Sequence, residues 1–406
     1  MFNKGDNKFT VNTLVAYGTN ESHWDEQGNS WQGIGKGGDP DRNPEGTSAW
    51  NGQRLSLREA WAGYTMPSGI HLWAGKRFYQ RKDIHIMDFY YLNNSGTGFG
   101  VESIPVGNLG SASVAIIKHQ VDSKMGGYNW PESQNAQESF NSWKLDARWN
   151  NIPLWTDASL DVAFIYAWQN LSNAQKLQGF RANNGFLAQL EWTQSNFFGG
   201  FNKLSFTYGH DALDYVGVLN GGNHAGDNVI PYGDKDLDKG EKGNGFRIIN
   251  WGVIEQPSWN LGYAFLAAHK NAFNEKGTCD NKQHECGASW SHPTGNDYAV
   301  VLRPSYKWSD FTSTVLEFGY TNQTNTGWNG WATNYKDRVK ATKLTIAQQW
   351  TAPTSTGFWS RPSIRVFASW ISGDLMNYKY TGKSANSEKD NDNHQITVGA
   401  QVEAWW

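Results

Sequence analysis

The fold this sequence predicts is an all-β chain of antiparallel strands that cross a membrane as a barrel, and three observations predict it. Segments of about ten residues alternate apolar and polar side chains with period two, as half-buried strands do. The 406 residues carry 22 Trp, 17 Tyr and 20 Phe beside 44 Gly, with the aromatics gathered at segment ends, where a membrane–water interface would hold them. Short connections such as "WNNIPLW" alternate with long polar loops, and structureless loops of that length are uncommon in compact domains, although a multi-sheet secreted lectin or a propeller would imitate the layout.

Each element follows from its own alternation. "KFTVNTLVAYG" sets Phe9, Val11, Val15 and Tyr17 on one face. "SLDVAFIYAW" sets Leu160, Val162, Phe164, Tyr166 and Trp168 against Asp161 and Ala163. "NKLSFTYGH" opposes Leu204, Phe206 and Tyr208 to Lys203, Ser205 and Thr207, and "TKLTIAQQW" opposes Leu344, Ile346 and Trp350 to Lys343, Thr345 and Gln349. In the closing "QITVGAQVEAWW", Ile396, Val398, Ala400, Val402, Ala404 and Trp406 share the apolar face. Trp405 falls on the polar face with Gln401 and Glu403, which a merely structural strand does not require. No composition shift divides the chain, so residues 1–406 read as one domain.

Composition also excludes. No stretch approaches the roughly 20 apolar residues of a membrane helix, and mean hydropathy is −0.65. This rules out helical membrane proteins and leaves barrels open, because their lumenal residues dilute the apolar signal. A net charge of −3 gives no reason to expect a nucleic-acid partner. His71 and His85 lack metal-ligand spacing, no carboxylate pair is marked out as acid and base, and nothing supports catalysis, a metal or a cofactor. "GIGKGG" has neither the preceding strand nor the following helix of a phosphate loop. In "DKDLDKGEKGNG" the glycine falls one position late for an EF-hand, which leaves a solvated acidic loop. Cys279 and Cys286 in "CDNKQHEC" fit no zinc pattern well. A small disulfide clip in an exposed loop suits them better, and it suits an oxidising compartment. No export signal is visible: Met1 runs straight into "FNKGDNKF", so such a signal has been removed or the N-terminus is not native.

The segment "WAGKRFYQRKDIHIMDFYY" (Trp73–Tyr91) packs Lys76, Arg77, Arg81, Lys82, Asp83 and Asp88 among six aromatics. By chemistry alone it is either a charged strand end with a solvated loop or a charged constriction inside a barrel. This segment resembles the signature of the maltoporin family, the sugar-specific outer-membrane porins. "NKLSFTYG", "LRPSYKW", "STVLEFGY", "KLTIAQQW", "WSRPSIRVFASW" and "VGAQVEAWW" resemble maltoporin segments in the same order, across essentially the whole chain.

The resemblance implies a homotrimer of 18-stranded antiparallel barrels in the outer membrane of a Gram-negative bacterium, embedded among its lipids and lipopolysaccharide. It implies facilitated diffusion of maltose and maltodextrins along a lumenal slide of aromatics beside a charged constriction. Matched residue by residue, Trp24 is the slide residue that a neighbouring subunit's loop lends to the pore mouth, and Phe201, Trp359 and Trp405 are further slide positions. Arg58, Arg81, Asp83, Asp88 and Tyr90 match the constriction. Parity agrees for three of the aromatics: Phe201 shares a face with Lys203, Ser205 and Thr207, Trp359 with Ser363 and Arg365, and Trp405 with Glu403. Trp24 lies in a loop, where parity says nothing and an aromatic can simply pin its own loop.

Two departures qualify the resemblance. The family carries two strands and a long loop before the segment matching "NKFTVNTLVAYG", so about 16 strands are expected here, closing as a smaller barrel or leaving a gap. "IPLW" is similar to the aryl-glucoside branch of the superfamily, whereas "KRFYQR" points to maltodextrins. The rival readings are a porin of the same family for an aryl β-glucoside or sucrose, a non-selective general porin, and a secreted carbohydrate-binding or carbohydrate-cleaving β protein.

Overall fold

A computed structural model describes residues 2–18, 54–121, 140–170, 173, 184–217, 243–271, 295–324, 338–352, 357–373 and 394–404. These form nineteen strands: β1 (Phe2–Lys4), β2 (Asn7–Gly18), β3 (Arg54–Thr65), β4 (His71–Arg77), β5 (Lys82–Ile84), β6 (Phe89–Leu92), β7 (Gly96–Pro105), β8 (Ser111–Val121), β9 (Phe140–Pro153), β10 (Ala158–Asn170), β11 (Gly185–Phe197), β12 (Gly200–Asp211), β13 (Asn244–Glu255), β14 (Trp259–Asn271), β15 (Gly295–Lys307), β16 (Thr312–Thr324), β17 (Arg338–Thr351), β18 (Ser363–Gly373) and β19 (His394–Glu403). Seventeen belong to one sheet, and β5 and β6 form a separate two-stranded hairpin. Setting aside the three-residue β1, the sheet has the 16 strands expected from the family resemblance.

Pairing is antiparallel and runs from neighbour to neighbour along the sequence. The exception is β4, which pairs with β7, because the hairpin between them leaves the sheet. Short turns fall on one side of the meander and long connections on the other, as expected. The turn between β11 and β12 is two residues, Phe198 at φ 49° and Gly199 at φ 84°. Two positive φ angles make the primed turn whose twist matches the flanking strands.

Burial in the sheet is inverted relative to a soluble protein. On β12, Leu204 and Phe206 are exposed while Ser205 and Thr207 are buried. On β19, Ile396, Val398 and Val402 are 69, 74 and 71% exposed. Large apolar residues point outward because their solvent is lipid, and polar residues point inward because the interior holds water and substrate. The inward face of β10–β15 carries two of the three apolar clusters, and what it buries them against is the hairpin. Ile84, Phe89 and Tyr91 pack on Ile249, Trp251, Ala264, Leu266, Ala268 and Ala299. Leu92 packs among Ala163, Ile165, Leu187 and Leu213. Burial of each large side chain contributes about 1.5–3 kcal/mol, so the hairpin is held by packing as well as by charge. Contacts to it come from β10, β11, β13, β15 and β19, and the sheet therefore curves around it.

Candidate functional site

Alternation gives the hairpin two faces, and one irregularity extends the face that meets the wall. Lys82 pairs with Leu92 and Asp83 with Tyr90, leaving Tyr91 as the extra residue of a bulge. Ile84, Phe89 and Tyr91 turn to the wall, joined across the bulge by Leu92, and Asp83 and Tyr90 turn to the open interior. Asp83 is exposed and Tyr90 half-buried. A 3-10 turn at His85–Met87 closes the tip, and Asp88 follows it in the left-handed region at φ 49°.

Arg81 lies over two rings, with its guanidinium carbon 3.9 Å from the Tyr90 centroid and 4.3 Å from that of Phe78. A cation stacked on aromatic faces is held by the ring quadrupoles, and its edge stays free to donate hydrogen bonds in a defined plane. Arg58 approaches Phe78 from β3 at 5.8 Å. Strict alternation would turn Arg58 away from Glu59, which faces inward and accepts from the Phe78 amide at 2.8 Å. Glu59 pairs with Leu14 and Leu57 with Val15, so Arg58 is itself the bulge residue, and a bulge lets both side chains face the same side. Burial raises the Tyr90 phenol above its ordinary pKa, more than Arg81 beside it lowers it. Tyr90 thus stays a neutral donor and acceptor.

Below the hairpin tip lies a cavity of about 730 Å³. Asp88 and His85 line it from above, and the lumenal sides of β14–β19 line it around. Its walls carry ion pairs, Arg303 and Lys343 on Glu317 and Arg361 and Arg365 on Glu403; Lys307 reaches Glu255 beside it, and the His85 ring hydrogen-bonds Glu403. Between these, Asn260, Ser305, Thr345 and Gln401 offer uncharged donors and acceptors. Such a wall offers both charged and uncharged hydrogen-bonding groups to the cavity.

The predicted aromatics divide. Phe201 faces inward on β12 and meets Trp251 edge-on, with centroids 5.0 Å apart. Trp359 corrects the parity argument: β18 begins at Ser363, so Trp359 does not share a strand face with Ser363 and Arg365. It sits in the turn before β18, because Pro362 has no N–H to continue the ladder. From there its ring comes within 5.6 Å of His85 and 5.0 Å of Phe358. Phe358 lies over Gly262, where a Cβ would stand 2.6 Å from its ring, so only glycine lets the turn fold in this closely. Trp24, Trp405, Cys279 and Cys286 lie outside the described residues.

Sequence reasoning missed Phe358, Phe367, Arg361 and the carboxylates that pair across the interior. Phe367 lines the cavity and shares the inward face of β18 with Ser363 and Arg365, a parity signal present in "SIRVF". The pairing of Glu403 with His85, 318 residues apart, has no sequence signal.

The LamB porin family model matches residues 1–406. A maltoporin of Vibrio cholerae serotype O1 is 36% identical over 345 residues, covering 82% of this chain and 72% of that protein. A maltoporin of Photobacterium profundum is 33% identical over 337 residues, covering 82% of this chain and 65% of that protein. OmpT, an outer membrane protein of Vibrio cholerae, superposes with a TM-score of 0.35 at 12% identity, covering 79% of this chain and 81% of that one. With an inverted antiparallel sheet wrapped around a charged inner hairpin, and a family match along its whole length, the chain belongs to the LamB porin family, sugar-specific porins of the Gram-negative outer membrane.

Proposed function

We propose that this porin carries maltose and maltodextrins by facilitated diffusion. The observation that carries the reading is the combination at the hairpin: a guanidinium fixed on Tyr90 and Phe78 beside the open carboxylate of Asp83, in an interior that also presents aromatic rings. A pyranose has two apolar faces and a rim of hydroxyls. Phe201, Trp359, Trp405 and a Trp24 lent by the neighbouring subunit of a homotrimer would take the faces. Arg58, Arg81, Asp83 and Asp88 would exchange hydrogen bonds with the rim, and Tyr90 would narrow the passage. Charge-assisted bonds are the stronger ones, and spreading them among several weak sites lets the sugar leave as readily as it enters. Lipopolysaccharide would surround the outward aromatic belt, and Cys279 and Cys286 would close a loop as a disulfide.

The test is ion conductance of the purified protein in planar bilayers, titrated with maltotriose, sucrose and an aryl β-glucoside. Saturable block by maltotriose at the lowest concentration is the expected result. Preferential block by sucrose or the glucoside would reassign the substrate, and conductance with no block by any of them would make the protein a general porin.

A further inference from the structure

Arg81, Asp83 and Tyr90 can serve as a constriction only if the hairpin that bears them is fixed relative to the wall, and the residue that fixes it is a wall residue covered by the hairpin. Glu191, fully buried on the inward face of β11, accepts from both legs of the hairpin. Its Oε1 takes the Lys82 ammonium of β5 at 3.0 Å, and its Oε2 takes the Tyr91 hydroxyl of β6 at 2.6 Å. Lys203 of β12 reaches the same Oε1 at 3.3 Å, and Asp161 of β10 takes a second bond from Lys82 at 2.7 Å. Two ammonium groups and two carboxylates thus leave the node neutral, which is the condition for keeping charges out of water at modest cost. The bonds that Glu191 makes fall on residues adjacent to the pore-facing ones: Lys82 stands between Arg81 and Asp83, and Tyr91 follows Tyr90.

We propose that Glu191 is a positioning residue for sugar recognition. Through Lys82 and Tyr91 it sets the spacing of the two hairpin legs, and so the place of Arg81, Asp83 and Tyr90 in the pore, without touching the sugar. Other contacts hold the hairpin at its ends: Arg148 donates to the Gln80 carbonyl at 2.6 Å, Arg247 to the Tyr91 carbonyl at 2.6 Å, and His85 meets Glu403 at 2.9 Å. Glu191 differs in taking side chains from both legs with one carboxylate. Its loss should loosen the hairpin without releasing it from the interior.

The inference rests on the sugar-porin reading for its sugar arm, and the experiment separates the two. Wild type, Glu191→Gln and Lys82→Met are compared in planar bilayers for maltotriose block, cation-to-anion permeability ratio and open-channel current noise. Lys82→Met leaves Glu191 facing Lys203 and Tyr91, and it stands in if Glu191→Gln does not insert. Expected are a channel that still conducts, a rise in current noise, a shifted permeability ratio and sugar affinity lower by about tenfold, the scale of one charge-assisted bond. In an Arg81→Ala, Asp83→Asn background the further effect of Glu191→Gln on sugar affinity should shrink to what Tyr90 alone carries, because Glu191 acts through those pore residues. A merely structural role would give the same loss in both backgrounds, and that result overturns the proposal. So does unchanged noise and selectivity in both variants. A wild type that no sugar blocks would instead remove the sugar-porin reading, while noise and permeability would still decide whether Glu191 positions the hairpin.

Discussion

At the scale of single residues, the site is an arrangement of charges held by aromatic rings. Arg81 on Tyr90 and Phe78 is the clearest case, because the stack fixes the plane in which its N–H groups point. Arg81→Ala and Asp83→Asn should each weaken maltotriose block by about 1.5–3 kcal/mol, the usual contribution of a hydrogen bond to a charged group, and a sugar titration of conductance reads the change. Tyr90→Ala should move two quantities in opposite directions, raising ion conductance while lowering sugar affinity. If conductance does not rise, Tyr90 is not at the narrowing. The charged residues of the inner segment were legible as candidates because six lysine, arginine and aspartate side chains crowd among six aromatics. Which of them face the pore was not legible, because the Tyr91 bulge shifts the alternation between the two legs.

At the scale of elements, two bulges and one tight turn decide where side chains go. The β3 bulge brings Arg58 and Glu59 to the same side, and the hairpin bulge lets Tyr91 and Leu92 both face the wall. The β11–β12 turn depends on Gly199, whose φ of 84° suits glycine and whose Cβ position stands 2.3 Å from the Glu255 carbonyl oxygen. Gly199→Val should therefore destabilise the barrel by about 1–3 kcal/mol through backbone strain, before any cost of moving Glu255, and urea unfolding from vesicles measures it. Strand existence and facing were readable for β10, β12, β17 and β19, whose alternation is regular. Trp359 was misread as a strand residue for the converse reason. Alternation continues on paper through "FWSRPS", whereas Pro362 ends the ladder and the turn folds back onto Gly262.

At the scale of the whole molecule, the governing fact is that two solvents meet one sheet. The outward face of β12 is Leu204 and Phe206 and the inward face Ser205 and Thr207, so substitutions on the two sides should behave differently. Phe206→Arg should cost about 2–4 kcal/mol of folding free energy in vesicles, the penalty for arginine near the bilayer midplane. A cost near zero would mean that this face does not see lipid.

The sequence by itself determined the membrane class, the number and parity of the strands, the side on which long connections lie, and the family, because each is written in local period-two patterning or in contiguous motifs. Only the tertiary structure decided that Glu191 takes both hairpin legs, that Glu403 gathers His85, Arg361 and Arg365, and that Phe358 and Trp359 fold toward the hairpin tip. Those pairings join residues as many as 318 positions apart. Strand alternation states which way a side chain points, but not what the curvature of the sheet will bring opposite it.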